Sequence, residues 1–148
     1  SFSILNAAGE TVYDSGSVIE EKLAELLPDD FNSNNDENDS FDKRSDDKGA
    51  EPEAIAFGEI NGRPLLFVGL ERVGGIMIFD VSDPTAPEWL NYVTTRDFSG
   101  DAEKNTAGDL GPEGIIVIQA ENSPTEKPLL VVSNEVSGSV TIFEILSL

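Results

Sequence analysis

Apolar positions along this chain fall into short alternating runs, and the same order of runs is written twice. Pro52 to Val81 reads PEAIAFGEINGRPLLFVGLERVGGIMIFDV, and Pro112 to Ile145 reads PEGIIVIQAENSPTEKPLLVVSNEVSGSVTIFEI. Each copy gives Pro-Glu, a β-rich run, a turn, Pro-Leu-Leu, a second apolar run closing near Glu, a Gly turn, and a third run ending Ile-Phe-acid. Pro52 matches Pro112, Pro64 matches Pro128, Glu71 matches Glu135, Gly74 matches Gly138 and Phe79 matches Phe143, the spacing widening from 60 to 64 because the second copy has a longer first turn. Alternation of period two marks strands with one buried face. The runs predict strands at Ala54–Phe57, Leu65–Val68, Ile76–Val81, Ile115–Ile118, Leu129–Val132 and Val140–Ile145. A further strand is predicted over Trp89–Thr95, after the break at Asp83-Pro84-Thr85-Ala86-Pro87. Asn61-Gly62 is a two-residue hairpin signal. A repeat of this length, built from three or four short strands, is the pattern of a propeller blade.

The rest of the chain is organised around these copies, residues 52–95 and 112–146. Residues 1–14 alternate as a hairpin, with Phe2-Ser3-Ile4-Leu5-Asn6 in the place that Ile76 to Asp80 holds in the first copy. Residues 17–27 are the one helix candidate. Ser17 and Glu20 have the spacing of a capping box, Ile19, Leu23, Leu26 and Leu27 share a face, and Pro28 stops the helix. Residues 29–50 form a long acidic loop with little to bury except Phe31 and Phe41, so a solvated loop is expected. The expected fold class is all-β: antiparallel propeller-type blades, about two of them as a fragment of a ring, with one short helix and the acidic loop. The open edges have two solutions. Thr11–Asp14 adds beside Val140–Leu146 as a missing fourth strand, or identical chains associate into a homo-oligomer through the exposed blades; the uncovered area favours association.

Charge narrows the partners. A formal net charge of −20, from 29 acids against 9 bases, argues against nucleic acid and anionic membrane surfaces, and cations are the natural counterpart. With neither Cys nor His in the chain, thiolate nucleophiles, imidazole bases and the usual Zn²⁺ sites are excluded within it, and a metal would be a hard, oxygen-bound ion. No apolar run approaches the length of a membrane span. No signal peptide is visible at Ser1, the reading of a mature or excised piece.

The segment Ile76-Met77-Ile78-Phe79-Asp80-Val81-Ser82-Asp83-Pro84-Thr85-Ala86-Pro87 resembles the LVIVD-type β-propeller repeat. Arg44 to Gly49 with Glu51-Pro52-Glu53, Gly69 to Arg72, Arg96-Asp97-Phe98, Gly108 to Gly114 and Asn134 to Gly138 are similar to the choice-of-anchor I family. Ala54 departs from the pattern, where the second copy has Gly114. The resemblance implies a secreted or cell-surface protein, bacterial, often labelled alkaline phosphatase-like or mesenchyme-specific cell-surface glycoprotein-like. It implies a non-catalytic module binding Ca²⁺ or a protein or cell-surface ligand through its loops; the alternative is part of a secreted alkaline phosphatase-like phosphoesterase.

Two sets of residues carry candidate chemistry. Asp30, Asn32, Asn34 and Asp36 place oxygen atoms at alternate positions, as a Ca²⁺ loop does, and Asp46 and Asp47 join them. An EF-hand fails at Asn35, where Gly belongs, and at Phe41, where the closing Glu belongs. The second set is a candidate ligand rim of Glu53, Glu71, Arg72, Glu113 and Glu135: Glu53 and Glu113 open strand one of each copy, Glu71 and Glu135 close strand two, and Arg72, Arg96 and Lys48 are the candidate pairing partners. Equivalent positions of stacked sheets face one rim, so these carboxylates are expected to cluster and then to pair or to hold a cation. No catalytic constellation emerges; there is no nucleophile elbow, and the glycine pairs are turn residues with no helix behind them.

Overall fold

The computed structural model describes residues 1–146. The N-terminal hairpin comprises β1 (Ser3–Leu5) and β2 (Thr11–Asp14), followed by helix α1 (Val18–Leu26). The first copy supplies β3 (Pro52–Ile60), β4 (Arg63–Leu70), β5 (Ile76–Asp80) and β6 (Glu88–Val93). The second supplies β7 (Pro112–Ile118), β8 (Leu129–Asn134) and β9 (Ser139–Glu144), with a 3-10 turn at Ala120–Asn122. These strands form three antiparallel sheets, β1-β2, β3-β4-β5-β6 and β7-β8-β9. Among the described residues the sheets close into neither a barrel nor a ring. All six strands read from the repeat are present, and both copies pair one-two-three in the same order. Val81 stays outside β5 although its N–H still reaches Pro64 O at 2.9 Å. β2 pairs only with β1, so it does not complete the sheet beside β9.

Stacking makes three layers. The face of the first sheet carrying Ala54, Ile60, Leu65, Phe67, Ile76 and Ile78 packs on Ile115, Leu130 and Val132 of the second, with Val117 and Phe143 at the margin. Its other face, with Val68, Leu70, Met77 and Phe79, is covered by Phe2, Ile19 and Leu23. Phe2 meets Phe79 edge-on at 5.0 Å. Gly58 is what lets the two sheets approach here, since a Cβ on it would lie 2.8 Å from Val117 Cγ1. Ile19 and Leu23 of α1 are fully buried, but Leu26 is 43% exposed. The buried stripe runs Leu23 to Leu27, and one residue's turn of the helix carries Leu26 away from the sheet. The capping box does not form: Ser17 makes no side-chain cap bond and its hydroxyl donates to Glu21 Oε1 at 2.6 Å.

The loop after α1 departs most from expectation. Asn32, Ser33, Asn34, Asn35 and Ser40 are buried, whereas Phe41 is 54% exposed. Buried polar groups are nearly all hydrogen-bonded, and here the backbone turns on itself to supply most of the partners. Asp42 N donates to Phe31 O at 2.8 Å, Arg44 N to Asn32 O at 3.1 Å, and Asn34 N to Ser40 Oγ at 3.0 Å. Arg96, in the linker between β6 and β7, ties the loop down. Its guanidinium donates to Arg72 O at 3.0 Å, Val73 O at 3.3 Å, Glu37 O at 3.0 Å and Asn38 Oδ1 at 2.9 Å. It is 7% exposed, and burial lowers its pKa to about 10.

Two substitutions test this packing. Gly58→Val is expected to destabilise the chain by about 1–3 kcal/mol through overpacking against Val117, read as a lower urea midpoint. Arg96→Met strands at least four acceptors, and a loss of about 2–3 kcal/mol is expected. Faster hydrogen exchange across residues 31–40 should accompany it, with Arg96→Lys intermediate because it keeps the charge and loses the fork.

Candidate carboxylate site

Both copies break register at the same place. Pro52 pairs with Leu70 and Ala54 with Gly69, leaving Glu53 as the extra residue; Pro112 pairs with Asn134 and Gly114 with Ser133, leaving Glu113. Such a bulge re-aims the side chain it carries. The backbone then binds the end of strand two identically in each copy, Glu71 N to Glu51 O at 2.8 Å and Glu135 N to Gly111 O at 2.7 Å. The two acids predicted to meet in each copy are thereby placed side by side.

In the first copy a third acid joins them. Carboxylate oxygens of Glu51, Glu53 and Glu71 all lie within 4.8 Å of one another. Glu51 was missed from the sequence, where its position matches Gly111 of the second copy. Both residues have left-handed backbone, with φ 51° at Glu51 and 72° at Gly111. A non-glycine residue kept in that conformation is the signal that marks it. Arg72 binds Glu51 through Nε and approaches Glu71 Oε1 with Nη1 at 3.3 Å, while Lys48 also pairs with Glu51. Asn35, from the buried loop, donates to Glu71 Oε1 at 2.7 Å.

Glu71 is only 6% exposed. Burial, and then hydrogen bonding with Glu53 and Glu51, pushes its pKa up to about 8, against which Arg72 works only in part. At Glu51 burial also works upward, but bonds with Lys48, Glu71 and Arg72 outweigh it and its pKa is lowered. The trio therefore holds a proton at neutral pH, on Glu71. In the second copy Glu113 is exposed, and its pKa is raised first by a hydrogen bond with Glu135, then by the charges of Glu135 and Glu53. Glu53 thus links the two copies into one acidic rim, with Arg72 at its first end.

The loop acids are arranged differently. Asp36, Asp46 and Asp47 are exposed and Asp30 is half-buried. Asn34 Oδ1 accepts from Arg44 Nε at 2.7 Å, its amide donates to Asp36, and Asp47 takes Arg44 Nη1 at 3.1 Å. Asn32 Oδ1 is buried without a donor, while its amide nitrogen donates to Ser45 Oγ at 3.0 Å. Among the described residues, the one acidic trio whose oxygens converge is that of Glu51, Glu53 and Glu71. Three convergent carboxylates, one of them buried, suit a hard divalent ion.

A twice-repeated antiparallel unit whose matched bulges gather carboxylates defines a repeat-built β protein. Residues 1–84 match the choice-of-anchor I domain, and the chain belongs to that family. It is similar to Gigasin-3a of Magallana gigas, 34% identical over 155 residues that cover 97% of this chain and 55% of that protein. It is also similar to the mesenchyme-specific cell surface glycoprotein of Strongylocentrotus purpuratus, 36% identical over 83 residues that cover 47% of this chain and 10% of that one. The chain therefore spans about half the length of the first relative and a small part of the second. No solved structure matches it.

The raised pKa of Glu71 has a stability consequence. Below the ordinary glutamate range both folded and unfolded chains hold this proton, and the contribution is fully present. As pH rises toward about 8 the unfolded chain has released the proton and the folded one has not, so stability falls and the contribution is lost. Thermal melts between pH 5 and pH 9 are expected to show this decline. Glu71→Gln, which keeps an acceptor for Asn35 and a donor for Glu53, is expected to flatten it and to melt higher than the parent at alkaline pH.

Proposed function

We propose that this chain is a non-catalytic module of an extracellular or cell-surface protein, and that its carboxylate rim takes Ca²⁺. The observation that carries the cation reading is the convergence of Glu51, Glu53 and Glu71, and the raised pKa of Glu71 accords with it. A proton in such a cluster relieves the same repulsion that a divalent ion relieves. Ca²⁺ suits the site better than Mg²⁺, because carboxylates on a bulge and a loop give a flexible oxygen set and Mg²⁺ demands a small octahedron. Glu51, Glu53 and Glu71 would hold the ion, and Arg72 and Lys48 would set how much negative charge remains for it. The ion would supply a fixed positive charge joining the start of strand one to the end of strand two.

The placement outside the cell rests on family membership and on the printed name of the sea urchin relative, which is a cell surface glycoprotein. Bacterial origin and an alkaline phosphatase-like activity are no part of this reading. Among the described residues no helix is long and apolar enough to cross a membrane. The propeller reading is supported by the common strand order of the two copies, their matched bulges, and the stacking of β3 on β7. Each copy is then one blade, and the rim is where neighbouring blades bring their bulges together.

Millimolar Ca²⁺ is expected to raise the melting temperature by mass action, Mg²⁺ to do less, and NaCl at matched ionic strength to do least. Calorimetry should show tighter Ca²⁺ binding above pH 8 than at pH 6, with a proton released on binding at the lower pH. Glu53→Gln and Glu71→Gln should abolish the calcium-specific shift. Equal shifts from Ca²⁺, Mg²⁺ and NaCl would reduce the effect to screening and reject the site.

A further inference from the structure

The segment between α1 and β3 reaches the carboxylate site twice. At its C-terminal end Glu51 enters the trio, and the backbone there is fixed to the sheet: Glu71 N donates to Glu51 O at 2.8 Å and Arg72 N to Ala50 O at 3.2 Å. Earlier in the segment Asn35 arrives at the same place, its Nδ2 donating to Glu71 Oε1 at 2.7 Å. Asn35 is 6% exposed, whereas the next two residues, Asp36 and Glu37, are exposed. The carboxamide therefore sits inside the fold while the chain beyond it returns at once to the surface.

A different set of bonds holds the loop at this depth. Arg96 donates to Glu37 O at 3.0 Å and Asn38 Oδ1 at 2.9 Å, and Asn38 Nδ2 donates to Asp97 O and Gly100 O. Within the loop, Asn34 N donates to Ser40 Oγ and Arg44 N to Asn32 O. Among the described residues, the hydrogen bond from residues 31–40 to the trio is that of Asn35. The Arg96 clamp and the Glu71 contact thus restrain one short stretch of chain, and the second alone touches the site. A buried carboxamide that loses its acceptor is left unpaired at a cost, so the closed loop is favoured when Glu71 is held in reach. Conversely, a carboxylate oriented by a donor loses less freedom on taking an ion, and such outer partners are commonly worth tenfold or more in metal affinity.

We infer that Asn35 is a positioning residue of the carboxylate site, and that loop closure and cation binding form one coupled equilibrium. The loop closes more firmly on an occupied site, and an open loop binds the ion less well. This rests on the calcium reading above and extends it to the acidic segment, whose order becomes the part of the molecule that responds to the ion. Coupling between binding and closure is reciprocal: the factor by which the ion suppresses loop opening equals the factor by which an open loop weakens ion binding. About tenfold is expected in each direction.

Hydrogen exchange of the whole chain at one pH and matched ionic strength, with and without saturating Ca²⁺, reads the loop, and calorimetry reads affinity. The amides of Asn34, Asp42 and Arg44, whose hydrogen bonds close the loop, are expected to exchange about tenfold more slowly with Ca²⁺. Those of Ala8 and Glu10, in the β1–β2 turn, should not respond. Asn35→Ala is expected to bind Ca²⁺ about tenfold more weakly and to lose the calcium-dependent slowing. Arg96→Lys loosens the loop at residues that make no bond to the trio. It should weaken Ca²⁺ binding severalfold in the parent and leave it unchanged in Asn35→Ala, a difference that a merely structural role for Asn35 does not produce. Should Asn35→Ala fail to fold, the parent's exchange and the Arg96→Lys affinity carry the comparison. Calcium binding with unchanged loop exchange overturns the coupling and leaves the calcium site standing. So does parent-like affinity in Asn35→Ala, or an equal loss from Arg96→Lys in both backgrounds. The absence of any calcium-specific melting shift overturns the site and the coupling together.

Discussion

A buried guanidinium holds the acidic half of this molecule in place. Arg96 has no carboxylate within ion-pair distance among the described residues; its partners are backbone carbonyls, one amide and the Phe98 ring, whose centroid lies 4.5 Å from Cζ. Carbonyl dipoles replace the water that burial removes, and the surrounding negative charge of the chain, Asp30 and Asp36 included, favours the cation at longer range. One side chain thereby joins three pieces of backbone: the β4–β5 turn, the loop after α1 and the linker into the second copy. Asn38 extends the clamp, donating to Asp97 O at 3.0 Å and Gly100 O at 2.7 Å. The carboxylate trio depends on this clamp, because Asn35 reaches Glu71 only from a loop held at that depth.

How far the sequence foretold the structure differs from element to element. The strands were legible because each has period-two alternation bounded by Pro, Gly or Asn, and because the chain states them twice. The meeting of Glu53 with Glu71 was legible from the repeat alone. Glu51 was hidden, since its partner in the second copy is a glycine and repeat matching passes over such a pair. The loop was misread for a physical reason. Polarity there signals exposure only when the polar groups have no partners inside, and Ser33, Asn34, Asn35 and Ser40 find theirs within a few residues or across the chain. Leu26 shows the converse error, an apolar side chain placed on the helical stripe by spacing and turned to solvent at the last turn.

The two copies have the same skeleton and unequal chemistry. The bulge and the paired acid at the end of strand two occur in both, so the geometry that gathers carboxylates belongs to the repeat. The third acid, the nearby Arg72 and the loop amide occur in the first copy only. Two residues before Gly111 in the second copy, Asp109 accepts from Thr95, Ser139 and Thr141 at 2.6, 2.5 and 2.5 Å. Burial works to raise its pKa, but those three hydroxyls lower it on balance, and the acid serves as an anchor for β9.

The order of events during synthesis follows from the same connectivity. Every sheet is made of consecutive strands, so each can pair as soon as its own hairpins have emerged, and no strand waits for one made much later. The acidic loop is the exception. Asn38 and Arg96 are 58 residues apart, and the intervening chain is the whole first copy. Until that arginine has been made, the loop lacks the guanidinium that ties Glu37 and Asn38 to the β4–β5 turn. The segment translated early is therefore among the last to settle, and the first sheet must mature before the loop that caps its rim can close over it.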